Sequence, residues 1–171
     1  MRVRDHIALS TVAAALLRPS LDSGVLGLWA GSVLIDADHY AWFCVRHRRG
    51  SPLDAMRFFN EAHPPQHAST RVLHSPLALM VALLAGLRWP GLRTVACGMA
   101  AHVALDLGHN ARMSRARAEV LARDASRCQE CGTRSDPLDV HVARQPWLLP
   151  SYSTENLISL CGRCHEAAHA G

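Results

Sequence analysis

Apolar positions in this chain come in two textures. Up to about residue 110 they form dense runs, Gly24–Ile35, Leu77–Leu87 and Val95–Leu107, each 11 to 13 residues long. Pro19, Gly24, Gly50-Ser51-Pro52, Pro64-Pro65, Ser75-Pro76 and Pro90-Gly91 punctuate them. Runs of that length between such breakers predict helices at 5–17, 24–36, 52–62, 76–87 and 92–106. Beyond residue 112 the texture changes. SRARAEVLAR predicts a short basic amphipathic helix over 114–123, PLDVHV an alternating strand, RQPWLLPSYS a loop, TENL a turn, and the stretch after SLCGRC a terminal helix. The expected fold class is mainly α. A helical domain of about five helices over 1–111 precedes a small metal-stabilised domain over 112–171.

Composition adds limits. With 49% of its 171 residues apolar and 19% charged, the chain can bury a core, and wholesale disorder is excluded. Spanning a bilayer takes about 20 apolar residues, so buried core helices are the first expectation for the three runs. Arg88 and Arg93 flank the tight connection between two of them, as residues at a membrane interface do, so association with an inner membrane through these helices is a second expectation. Ile7–Leu17 is too closely flanked by Asp5, His6 and Arg18-Pro19 to read as a cleavable leader. The net charge of +4, carried by 18 arginines and no lysine, is too mild to announce a nucleic-acid partner.

Cysteine and histidine change the picture more. Cys128, Cys131, Cys161 and Cys164 form two C-x-x-C pairs with 29 residues between them. Two such pairs suit a closed, tetrahedral, structural Zn²⁺ site, and free thiols point to a reducing, cytoplasmic setting. Cys44 and Cys97 read as core residues. Of eleven histidines, His165 and His169 stand four apart on the terminal helix, where both imidazoles share a face and can chelate one cation. His141 lies on the preceding strand and Asn156 between.

The ordered set RCQECG, LDVHV, ENLISLC and CHEAAH, covering residues 115–169, resembles the HNH nuclease family in its branch with a four-cysteine zinc knuckle. The resemblance implies a ββα hairpin holding a divalent cation, Mg²⁺ or another, at the scissile phosphate of DNA. Its metal ligands would be His141, His165 and His169, its catalytic residues His141, Asn156 and His165, with Asn156 orienting the catalytic histidine. One position departs from that pattern. The second residue of the usual His-His or Asp-His pair, the general base, is Val142 here, and valine accepts no proton. His141 takes the base role after a strand shift, another group supplies it, or the module binds nucleic acid without cutting. A zinc ribbon for protein contact is the alternative for the cysteines alone.

Polar residues also interrupt the apolar helices of the first half. Asp36, Asp38 and His39 follow GVLGLWAGSVLI, His74 opens the next apolar helix, and His102 and Asp106 share a face within VACGMAAHVALD. Burying them unpaired would be costly, and metal coordination or mutual hydrogen bonding relieves the cost. The series DADH, HRRG, HS and HVALD over residues 5–110 resembles the bacterial inner-membrane metal-dependent hydrolase family. That likeness implies a second metal site drawn from His6, Asp36, Asp38, His39, His74, His102 and Asp106. His47 is a lesser candidate, and His63, His67 and His109 read as loop residues without a role. No motif points to an organic cofactor. The expected function is a metal-dependent HNH endonuclease acting on DNA; the alternative is a membrane-associated hydrolase working at the first site, with an impaired HNH module that only binds nucleic acid.

Overall fold

The computed structural model describes residues 2–60, 71–134, 137–144 and 146–169, and the described part of the first hundred residues is mostly helical. By internal contact the chain divides into two units, Met1–Asp106 and Leu107–Gly171. Unit 1 holds α1 (Val3–Leu21), α2 (Gly24–Leu34), α3 (Ala37–His47), α4 (Pro52–Asn60), α5 (Pro76–Arg88) and the first part of α6 (Arg93–Arg123). Local chemistry sets the ends. Ser75 accepts a hydrogen bond from the Ala78 N–H at 3.1 Å and Pro76 supplies the first helical residue of α5. Pro19 was expected to stop α1 but sits in its last turns, and the helix closes only at Asp22, whose φ of 45° turns the chain.

Helix α3 was not anticipated. The predicted helix over 24–36 leaves 37–47 unassigned, yet α2 stops at Leu34, a new helix starts after Asp36, whose side chain makes no cap bond, and Arg48 ends it in the left-handed region with φ 52°. The missed helix carries Phe43 and His47, which lie 5.6 and 4.8 Å from the Phe58 ring of α4. His47 is thus part of an aromatic cluster. His63, His67 and the end of the predicted 52–62 helix lie outside the described residues.

Glycines let α2 and α6 approach backbone to backbone. A Cβ on Gly31 would stand 2.0 Å from the Val95 carbonyl oxygen, and one on Gly98 would stand 2.1 Å from that of Leu28. This approach brings Ser32 of α2 beside His102 of α6. Helix α6 also runs straight through the break expected between 106 and 114, so His109, expected in a loop, is helical and hydrogen-bonds Tyr152 Oη at 2.7 Å. Ala104, Leu105 and Leu107 before Gly108 and Ala111, Arg112 and Met113 after it are good helix formers, and one glycine costs only about 1 kcal/mol there.

In unit 2 the rest of α6 leads to β1 (Leu138–Val142), β2 (Leu157–Cys161) and α7 (Gly162–His169). The strands pair antiparallel, with His141 opposite Ile158 and Val142 opposite Leu157. Two small cores hold them: Cys128, Leu138, Leu160 and Cys161 in one, Ala116, Val120 and Leu157 in the other, with Val140 and Val142 against the latter. The chain is mainly helical, with a small two-stranded sheet near its end. Among the described residues no helix is long and apolar enough to cross a membrane. Cys97, expected in the core, is exposed.

Candidate metal centres

Four thiols converge in unit 2. Cys128 and Cys131 sit in a turn closed by the Gly132 N–H on the Cys128 carbonyl at 2.8 Å, with Gly132 at φ 71°. Cys161 ends β2, and Cys164 lies in the first turn of α7. All four sulfurs lie within 4.8 Å of one another, and Cys131 Sγ is 3.8 Å from Cys161 Sγ. Sulfurs bound to one zinc at about 2.3 Å stand about 3.8 Å apart in a tetrahedron, whereas a disulfide needs about 2.05 Å. The cluster therefore fits a single ion. Against the burial that resists its ionisation, backbone N–H groups of Cys131, Cys161 and Glu130 bring the Cys128 thiol down to about 6; hydrogen bonding with Cys161, followed by burial, pushes Cys164 up to about 12. The knuckle is tied to the hairpin by the Gln129 N–H on the Ser159 carbonyl at 2.8 Å.

The hairpin and α7 bring together His141, His165 and His169, whose donor atoms also lie within 4.8 Å of one another. His165 Nε2 and His169 Nε2 are 3.2 Å apart, and the three ring centroids are separated by 4.8 to 5.2 Å. Donors bound to one ion at about 2.1 Å are about 3.0 Å apart in an octahedron and about 3.4 Å in a tetrahedron, so this spacing also fits. Three imidazoles favour zinc or a neighbouring transition metal over Mg²⁺, which takes oxygen donors. Burial, followed by the neighbouring histidines, holds His141 below its usual range and keeps it neutral, as a ligand must be. His169 is open to solvent, and His165 is buried.

Asp139 was overlooked in the sequence. It precedes His141 by two on β1 and so faces the same way, and its Oδ2 lies 3.5 Å from His165 Nδ1. A carboxylate behind an imidazole fixes which nitrogen is left for a metal. The alternation of LDVHV was the available signal. Asn156 behaves differently from its expected role: its Oδ1 accepts from the Arg144 N–H and its Nδ2 donates to the Arg144 carbonyl, both at 2.8 Å. These two bonds tie Asn156 to the backbone at the end of β1, not to a histidine.

Unit 1 gathers all seven of its candidates into three overlapping sets: His6, His102 and Asp106; Asp36, His74 and His102; Asp38, His39 and His74. His102 is fully buried, and its Nδ1 lies 2.7 Å from the Ser32 carbonyl oxygen, which can only accept. Nδ1 therefore carries the proton and Nε2 presents a lone pair. That lone pair faces His74 Nε2 at 3.2 Å, Asp36 Oδ1 at 3.6 Å and Asp106 Oδ2 at 3.7 Å. His74 Nδ1 is held toward Asp38 Oδ2 at 3.3 Å, so its Nε2 also turns inward, 3.3 Å from Asp36 Oδ1. A positive charge has to sit among these donors, either a proton on His74 or a metal ion.

Electrostatics describe the protonated alternative. Burial alone would lower His74, but hydrogen bonds to Asp36 and Asp38 prevail and push it up to about 9. Asp36, Asp38 and Asp106 are each resisted by burial and yet held below the usual carboxylate range by the neighbouring histidines. Burial drives His102 down. His6 stacks on His102 at 3.7 Å and bonds Asp106 Oδ1 through Nε2 at 3.0 Å, while its buried Nδ1 has no hydrogen-bond partner. Asp38 also accepts from the Leu73 N–H and from His39, which lies beside it at 2.6 Å, making it the hub that orients both histidines.

No protein-family model matches the chain, and no curated protein or solved structure matches it either.

Proposed function

We propose that unit 2 is a metal-dependent phosphodiesterase of the HNH type acting on DNA. The observation that carries this is the convergence of His141, His165 and His169 on a strand hairpin and helix beside a four-cysteine knuckle. The three imidazoles would hold the cation; once bound, it would polarise the scissile phosphate and stabilise the leaving oxygen. Asp139 would orient His165 through Nδ1, and Asn156 ties together the two ends of the connection between β1 and β2. Val142 packs against Ala116, Val120 and Leu157 and contributes no base. A missing positioned base typically costs 10²–10⁴-fold, so turnover is expected to be slow. The test is nicking of supercoiled plasmid by the zinc-loaded chain with added Zn²⁺, Mn²⁺ or Mg²⁺. Cleavage that needs the added ion and falls at least about 100-fold in His165→Ala supports the proposal; ion-dependent binding with no nicking by any of the three ions rejects it.

The buried donors of unit 1 favour a second reading, in which that cluster is the hydrolytic metal centre and unit 2 only binds nucleic acid. Leu77, Met80, Val81, Leu84 and Leu87 of α5 are exposed and would be its contact with a membrane surface.

A further inference from the structure

The three overlapping donor sets of unit 1 offer three places for an ion, and hydrogen bonds and ring planes rule out two of them. In the set of Asp38, His39 and His74, the carboxylate is already saturated. Asp38 Oδ1 faces the His39 N–H at 2.8 Å and His39 Nδ1 at 2.6 Å, and its Oδ2 faces the Leu73 N–H at 2.8 Å and His74 Nδ1 at 3.3 Å. A carboxylate has about four lone-pair sites, so these donors take them all. In the set of His6, His102 and Asp106, the two rings stack at 3.7 Å with their planes 12° apart. An imidazole lone pair lies in the plane of its ring, so two nearly parallel rings cannot aim theirs at one ion.

The set of Asp36, His74 and His102 has neither fault. The His74 and His102 planes cross at 72°. Their Nε2 atoms stand 3.2 Å apart, and Asp36 Oδ1 lies 3.3 Å from the first and 3.6 Å from the second. Donors about 2.1 Å from one ion in a tetrahedron are about 3.4 Å apart. Asp36 starts α3 without a side-chain cap bond, so its carboxylate is not spent on the helix. His102, whose Nδ1 is tied to Ser32, has only Nε2 to give and can serve only one ion.

We infer that unit 1 holds a single borderline-soft divalent cation on the face formed by His74 Nε2, His102 Nε2 and Asp36 Oδ1, with a coordination position open to an outside ligand. The inference rests on reading the cluster as a metal centre. Two imidazoles and one carboxylate suit zinc or a neighbouring transition metal better than Mg²⁺ or Ca²⁺, and three protein ligands leave the fourth position free. Asp38 and His6 stand behind that face: Asp38 turns His74 Nε2 inward, and His6 stacks on His102. Asp106 Oδ2 lies 3.7 Å from His102 Nε2, but Asp106 groups with His6 and His102 rather than with Asp36 and His74, and so stays outside the ligand face.

The experiment uses the full chain with zinc in its cysteines and with His165→Ala and His169→Ala removing the other histidine site. Added Co²⁺ is followed by its visible d–d absorption and by the metal retained through gel filtration, each variant being compared at the parent's helical content. We expect one Co²⁺ per chain and a spectrum that azide alters. His6→Phe and His39→Phe keep a ring but remove its nitrogens, and each should bind one Co²⁺ with the parent's spectrum. Asp36→Ala and His74→Ala should lose it. Asp38→Asn should keep the spectrum and bind about 10- to 100-fold more weakly, as loss of an orienting partner does. Two Co²⁺ per chain, loss of Co²⁺ in His6→Phe or His39→Phe, parent affinity in Asp36→Ala, or a spectrum indifferent to azide overturns the inference while leaving a metal centre standing. Absence of Co²⁺ binding in the parent removes the centre itself, and with it both the second reading and the inference.

Discussion

Single residues decide what each centre can do. Val142 was legible as a departure from a motif, but its meaning comes from the strand: it pairs with Leu157 and joins the core under α6. Restoring a histidine there should therefore not restore a base. Val142 is half-buried against that core, so Val142→His trades apolar packing for a partly desolvated imidazole; a lower Tm with no faster nicking is the expected result, and a gain in rate would show that position 142 reaches the site. His74 supplies a pH prediction. Its metal-free value of about 9 lies above the ordinary 6.5, so its contribution to stability is complete below about pH 6.5 and is lost as pH rises through 9. A metal ion must displace that proton, so its affinity for unit 1 should climb between pH 6.5 and 9 and then level off. Titrating Mn²⁺ at several pH values in the chain lacking His165 and His169 checks this; a flat profile would mean that the ion avoids His74. Asp139 escaped sequence reading because an acid acquires a role only from its neighbours.

At the level of elements, helices bounded by proline or serine were readable, since a cap or a missing N–H acts within four residues. Helix α3 was not, because its start requires knowing that Leu34 ends α2. The continuity of α6 was hidden for a similar reason: Gly108 looks like a terminator, yet nothing lies near it that would require one. Glycines that do matter face another backbone. Gly31→Ala would force apart α2 and α6 and cost about 1–3 kcal/mol or more. Gly24→Ala meets only Thr94 Cγ2 at 3.1 Å, a side chain that can yield. Thermal melts should rank Gly31→Ala well below Gly24→Ala. Equal melts would mean that the helices do not touch there. Because the Ser32 carbonyl fixes the His102 tautomer, Gly31→Ala should also weaken Mn²⁺ at unit 1.

For the whole molecule, internal contacts divide the chain after Asp106, inside a helix and five residues before the expected boundary at 111. The cores described in unit 2 are small, and two of its four thiols, Cys128 and Cys161, sit within one of them with Cys164 against it, so metal and folding should be linked. Stripping the thiol-bound ion, or Cys131→Ser, should unfold unit 2 while the helical signal of unit 1 persists. Circular dichroism through a chelator titration would display this as partial loss of signal, and complete resistance would mean that the thiols hold no structural ion. Among the described residues, seven histidines fall into clusters of candidate ligands, four in unit 1 and three in unit 2. What the sequence could not convey was their geometry: which nitrogen of His102 is tied to the Ser32 carbonyl, and how near the donors of each cluster stand. The decisive measurement is plasmid nicking by His165→Ala and His102→Ala side by side, each loaded with zinc and given the activating ion. Loss of nicking in His165→Ala, with His102→Ala cutting at the parent rate, is the outcome expected of a nuclease in unit 2. The opposite pattern would move the chemistry to unit 1.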